Sequence, residues 1–106
     1  MIIISTGGVS ALEKAKPGDR DIRKKATLLK ALANPTRLCI VRELLARGEC
    51  NVSSMQHCLG LSQSTVSQHL GRLRDMDIIR GERKGTEVFY RLVNQEAADI
   101  IKVLFK

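Results

Sequence analysis

Leu61-Ser62-Gln63-Ser64-Thr65-Val66-Ser67-Gln68-His69-Leu70-Gly71-Arg72-Leu73-Arg74 is the stretch whose reading decides the fold. Val66, Leu70 and Leu73 recur at i, i+4 and i+7, one face of a helix, and the other positions from Ser62 to Arg74 are small, polar or basic. Ser62 can cap this helix by accepting from a first-turn N–H, and the pattern runs to about Asp75. Just upstream, Val52, Met55 and Leu59 stand at helical spacing until Gly60 interrupts them. Two short helices joined by a Gly-containing turn make a helix-turn-helix, whose second member lies with one side on the core and the other free.

Downstream of Asp77 the apolar period falls from 3.6 to 2. Residues 78–83 and 86–92 flank Lys84-Gly85, a natural two-residue turn, so a β-hairpin is expected there. A last helix, about Gln95 to Phe105, carries Ala97, Ile100, Ile101, Leu104 and Phe105 in a broad apolar stripe, with Asn94 as its cap. Upstream, Asn34-Pro35 ends one helix and starts another, since Pro at the first helical position gives up only an N–H that had no intrahelical partner. That second helix carries Leu38, Val41, Leu44 and Leu45 and closes at Gly48. The helix before it begins near Asp19, with Ile22, Ala26, Leu29 and Ala33 as its stripe and Leu28 and Leu32 widening it. Residues 1–18 show no sustained period and are expected to form a flexible tail, with at most one or two helical turns over Ala11 to Lys16, leaving 19–106 as the folded domain. The fold expected is mainly α with a β-hairpin: a winged helix-turn-helix of about five helices plus a two-stranded wing.

Length and composition agree with a single small domain. The chain has 106 residues, 43% of them apolar, and can bury enough surface to fold without a staple. No stretch approaches the ~18 to 20 apolar residues of a membrane span, and Met1 to Ile4 lacks the basic flank and length of a signal peptide. Three cysteines, an odd number, make no disulfide framework, so a reducing cytoplasm is the expected compartment. The net charge is +7, from 18 basic and 11 acidic side chains. The excess is +4 over residues 1–33, +3 over 34–74 and zero over 75–106, which points to an anionic partner without choosing one.

The free side of the second helix makes that choice. It offers Ser62, Gln63, Ser64, Thr65, Ser67, Gln68, His69 and Arg72, with no carboxylate before Asp75. A helix fits the major groove, where Gln can bond an adenine edge, Arg a guanine edge, and Ser or Thr either bases or phosphates. The free N–H groups at its start also suit a phosphate oxygen. The hairpin adds Arg80, Arg83, Lys84 and Gly85 near its tip and Arg91 on the return strand, placed to reach neighbouring phosphates or the minor groove. Lys84-Gly85 taken alone also fits an ordinary solvated turn.

Three motifs carry a resemblance: Leu32-Ala33-Asn34-Pro35-Thr36-Arg37-Leu38, the Leu61 to Leu70 stretch, and Arg83-Lys84-Gly85-Thr86-Glu87-Val88-Phe89-Tyr90. Together they make the chain similar, over about residues 22–105, to the bacterial ArsR/SmtB family of winged-helix repressors. The resemblance implies a cytoplasmic homodimer on a palindromic double-stranded DNA operator, with the Ser62 to Arg72 helix in the major groove and the first and last helices holding the dimer. Ile22 and Leu29 on the first helix and Ile100, Ile101, Leu104 and Phe105 on the last supply apolar surface for that, although the same stripes also serve to close a monomer's own core.

The chain departs from the family at the metal sites. Where thiolate-binding members show Cys-Val-Cys, it has Asn51-Val52-Ser53, and where others use His pairs on the last helix it has no His and only Asp99 after Glu96. No metal or other cofactor is therefore expected. Cys39 reads as a small buried hydrophobe, Cys58 beside Leu59 as packed, and Cys50 as the thiol that could be exposed. Some relatives switch through a thiol on the second helix paired with one on the last; Cys39 resembles the first of these, and the last helix has no Cys to pair with it. The leading expectation is a sequence-specific repressor without enzymatic activity, since no nucleophile, base and orienting group fall together. The alternatives are a redox-responsive repressor using Cys39, Cys50 or Cys58, a winged-helix module for an acidic protein, and a non-specific architectural DNA binder.

Overall fold

The computed structural model describes residues 16–106. The tail expected over residues 1–18 thus lies almost wholly outside the described residues. Among the described residues five helices and three strands follow in the order α1 (Arg20–Leu32), α2 (Pro35–Arg47), β1 (Cys50–Asn51), α3 (Val52–Leu59), α4 (Gln63–Asp75), β2 (Ile79–Lys84), β3 (Glu87–Leu92) and α5 (Gln95–Leu104).

Each helix starts where a short polar side chain satisfies one of the orphan N–H groups of its first turn. Asp19, Asn34, Asn51, Ser62 and Asn94 accept from the N–H of Asp21, Arg37, Ser54, Thr65 and Ala97 in turn. Each such cap contributes about 1 kcal/mol. The stops are equally local. Gly48 and Gly60 end α2 and α3 at positive φ (86° and 66°). α4 ends without glycine: Asp77 takes φ 57°, Ile78 N–H donates to the Leu73 carbonyl at 3.0 Å and Asp77 N–H to that of Arg74 at 3.0 Å. That is a Schellman pattern, closed by the contact expected between apolar residues at its two ends, Leu73 and Ile78, both fully buried.

The core gathers one face of every helix. Leu28, Ala31 and Leu32 of α1, Ile40, Val41 and Leu44 of α2, Met55 of α3, Val66, Leu70 and Leu73 of α4, and Ala97 and Ile101 of α5 are buried, together with Ile78 and Ile79 at the start of the wing. In α1 the phase differs from the sequence expectation. The buried face centres on Leu28 and Leu32, Ile22 is half-buried and Leu29 is 55% exposed. Leu28 and Leu29 are about 100° apart around the helix, so choosing one for the core turns the other outward.

The wing carries two further differences. The turn is one residue later than expected: Lys84 pairs with Glu87, leaving Gly85-Thr86 as the loop. Gly85 has φ 67° and Thr86 does not share it, as in a type II′ turn. The sheet also has three strands, ordered β1-β3-β2, because Cys50 and Asn51 pair antiparallel with Tyr90 and Phe89. Two residues are too few for a period, so this strand left no signal in the sequence. Gly81, opposite Tyr90, is required by close approach, since a Cβ there would stand 2.9 Å from Tyr90 Cε1 and 3.0 Å from Val88 Cγ1.

Candidate nucleic-acid interface

α4 projects a polar face away from the core formed by Val66, Leu70 and Leu73. Ser62, Gln63, Ser64, Ser67, Gln68 and Arg72 are exposed, and Thr65 and His69 are half-buried. Their availability is unequal. Ser62 Oγ accepts from Thr65 N–H at 3.2 Å and lies 2.9 Å from Thr65 Oγ1 and 3.3 Å from Ser64 Oγ, so these hydroxyls are engaged in starting the helix. Gln63, Ser67, Gln68 and Arg72 make no side-chain hydrogen bond among the described residues and present their full donor and acceptor sets outward.

His69 occupies the flank toward α2. Arg37 Nη1 donates to its Nδ1 at 3.4 Å, a long contact that requires the ring proton on Nε2. Burial, and after it the guanidinium groups of Arg37 and Arg72, hold the His69 pKa below its ordinary 6.5. Arg37 is itself pinned, its Nε donating to the Ala31 carbonyl at 2.6 Å across the α1–α2 junction. Nothing in the local periodicity marks Arg37 as part of this face; a basic residue two positions after Pro35 is the signal it leaves in the sequence.

On the other flank stands the wing. Gln63 shares a cleft with Thr86, Val88 and Tyr90. Strand pairing puts Arg80 directly opposite Arg91, and both are exposed. Like charges in register repel, so this pair concentrates positive potential that an anion relieves. Arg83 is exposed and forms no ion pair among the described residues. Lys84 differs: its Nζ donates to both Glu49 oxygens, at 2.9 and 3.1 Å, and lies 5.4 Å from the Phe89 ring centroid. Both ends of the Lys84–Glu49 pair are about two-fifths to one-half exposed, where such pairs are worth about 0–1 kcal/mol, so a phosphate can displace the carboxylate.

The cysteines are placed differently from the expectation. Cys50 is buried, 4% exposed, because β1 pairing turns its side chain to the core face beside Tyr90, and burial pushes its thiol pKa up. Cys58 is exposed at the end of α3, its Sγ accepting from Arg47 Nη2 at 2.9 Å. Cys39 is half-buried on α2. Among the described residues no three His, Cys, Asp or Glu side chains converge as a metal site, and no helix is long and apolar enough to cross a membrane.

The apolar residues assigned to a dimer interface divide. Ile101 is 2% exposed and belongs to the chain's own core, so it leaves that set. Ile22 and Ile100 are half-buried. Leu29, Leu104 and Phe105 are 55%, 59% and 43% exposed, and Val103, not singled out from the sequence, is 65% exposed.

Comparison with known proteins decides what this arrangement is. The family model described as "Bacterial regulatory protein, arsR family" matches residues 34–80. The transcriptional repressor PagR of Bacillus anthracis is 43% identical over 79 residues, which is 74% of this chain and 79% of PagR. The chain belongs to the ArsR family of bacterial regulatory proteins. Solved structures superpose on it: PagR with a TM-score of 0.74 at 40% identity, covering 79% of this chain and 95% of PagR. The repressor BigR of Xylella fastidiosa matches with a TM-score of 0.78 at 34% identity, covering 92% of each chain. HlyU of Vibrio cholerae matches with a TM-score of 0.77 at 37% identity, covering 81% of this chain and 92% of HlyU. This ArsR-family chain is a winged helix-turn-helix, DNA-binding transcriptional regulator.

Proposed function

We propose that this regulator is a cytoplasmic repressor that binds a palindromic operator as a homodimer and acts by occupying DNA, with no enzymatic step and no resident metal. The folded unit in this reading is residues 19–106. α4 enters the major groove, Gln63, Ser67 and Gln68 read base edges, Arg72 meets the DNA from the far end of the same helix, and Ser62, Ser64 and Thr65 shape the helix start and touch phosphate. Arg80, Arg83, Lys84 and Arg91, set on the hairpin that turns at Gly85, hold the adjoining backbone. The observation that carries the reading is the exposed face of α4, where two amides and a guanidinium stand without partners among the described residues and no carboxylate precedes Asp75. Such a face is poor in the aromatic and large apolar side chains that anchor protein partners, which disfavours an acidic-protein module.

Selection of binding sites from random duplexes tests it. The wild-type chain should return a two-fold symmetric consensus and prefer it over unrelated DNA by about a thousandfold or more. Gln68→Ala and Gln63→Ala should each relax one position in both half-sites, at about 1–3 kcal/mol per lost bidentate contact. A consensus unchanged in both variants would remove these side chains from base reading, and the lack of any consensus would leave an architectural binder.

A further inference from the structure

α4 is flanked on one side by the wing and on the other by a basic depression. Arg72 of α4, Lys30 and Thr27 of α1, Arg37 of α2 and Met76 line a hollow of about 220 Å³. Three of these side chains are cations, and none of the three forms an ion pair with a carboxylate among the described residues. Arg37 is fixed there by its bond to the Ala31 carbonyl, so at least one guanidinium is held in place before any ligand arrives. Lys30 and Arg72 are exposed at the rim. Three cations around one hollow repel one another, and an anion seated among them reverses the sign of that interaction.

We propose that this hollow receives a backbone phosphate of the operator DNA, so that Lys30 and Arg37 join Arg72 as phosphate contacts on the strand opposite the wing. The inference rests on the placing of α4 in the major groove. An α-helix with its side chains is about 10–12 Å across and the groove about 12 Å wide, which sets a phosphate wall against each flank of the helix. The hairpin's guanidinium groups meet one wall. The Lys30, Arg37 and Arg72 cluster stands on the other flank of α4 and meets the second. Contacts of this kind fix register without reading sequence.

The slope of log K against log salt is the readout, measured on the selected operator and on a scrambled duplex. The Lys30 side chain is exposed and makes no hydrogen bond among the described residues, so Lys30→Gln should leave the fold intact. It should flatten the slope by about 0.9 on both duplexes, and Lys30→Glu should flatten it further. Arg37→Gln should act likewise, with its thermal midpoint recorded because it also loses the Ala31 contact. Arg83→Gln serves as the wing reference. If Arg83→Gln flattens the slope while both Lys30 variants keep wild-type slope and affinity, the hollow does not touch DNA and the wing reading stands. Absence of salt-dependent DNA binding in the wild-type chain overturns the α4 reading itself. A loss of affinity on the operator alone, with the slope unchanged on both duplexes, would make Lys30 a base contact and overturn the phosphate assignment. Inorganic phosphate that binds the free protein and is lost in Lys30→Glu, with DNA slopes unaltered, would assign the hollow to a free anion instead.

Discussion

His69 shows how a single side chain on the recognition helix reports its surroundings. Its position on the α4 flank puts the ring partly out of water and against Arg37 and Arg72, and burial followed by these two charges lowers its pKa from 6.5. The folded chain therefore keeps His69 neutral at a pH where the unfolded chain begins to take up a proton. Since the unfolded state binds more protons in that window, stability rises with pH there. The contribution is complete above about pH 6.5 and is lost as the pH falls from 6.5 toward the lowered native value. Urea midpoints at pH 7.5 and 5.5 should show a larger acid-side loss for the wild type than for His69→Gln, which has no proton to take up. Equal losses would mean that the imidazole is not held neutral. Arg37 illustrates why such a relation is hard to read from sequence. The residues are 32 positions apart, and only the crossing of α2 with α4 brings them together.

At the scale of the element, the wing is the part whose charge count misleads. Arg83 and Lys84 are adjacent in sequence and equal in formal charge, yet Arg83 is unpaired among the described residues while Lys84 is already held by Glu49 from the α2–β1 connection. A phosphate contact by Lys84 first breaks that pair. Lys84→Ala should therefore weaken DNA binding less than Arg83→Ala, and Glu49→Gln should tighten binding to every duplex by releasing Lys84. Titrations on operator and scrambled DNA check this; an unchanged affinity in Glu49→Gln means that the pair survives in the complex. What was legible in the wing was its alternation. The one-residue shift of the turn and the third strand were not, because strand register depends on how Tyr90 and Val88 close over Gly81 and on Cys50-Asn51 reaching β3 from 38 or more residues away. The same short strand reverses the cysteine expectation, burying Cys50, while Cys58 at the end of α3 is left to Arg47. The helices were legible nearly residue for residue, since their caps at Asn34, Ser62 and Asn94 and stops at Gly48 and Gly60 are written in local chemistry. The end of α4 at Asp75 was legible too, but the left-handed turn at Asp77 that closes it was not, because it lacks the glycine that marks such a turn.

At the scale of the molecule, the question is what covers the outer faces of α1 and α5. α1 and α5 are joined by the Lys25–Glu96 ion pair, and they bury one face each in the core. Leu29 on α1 and Val103, Leu104 and Phe105 at the end of α5 remain outside, Phe105 beneath the Arg42 guanidinium at 4.7 Å. A monomer gains nothing from exposing these four large apolar side chains on α1 and at the end of α5. In a two-fold dimer each such residue is buried twice, so a polar replacement is felt twice. Fully burying one Leu side chain contributes about 1.5–3 kcal/mol, and with 59% of Leu104 still to be covered in each of two copies, Leu104→Asp should weaken self-association by about 2–4 kcal/mol, roughly thirtyfold to nearly a thousandfold. Sedimentation equilibrium of the wild type and of Leu104→Asp and Leu29→Ser measures this directly. Because Leu104 is more than half exposed, the variants should keep the wild-type thermal transition when extrapolated to low concentration, where both are monomers. DNA then separates folding from assembly: the variants should bind a single half-site as the wild-type monomer does and lose the advantage of the full palindrome. A dimer of unchanged dissociation constant in both variants would place the two-fold contact elsewhere on the chain.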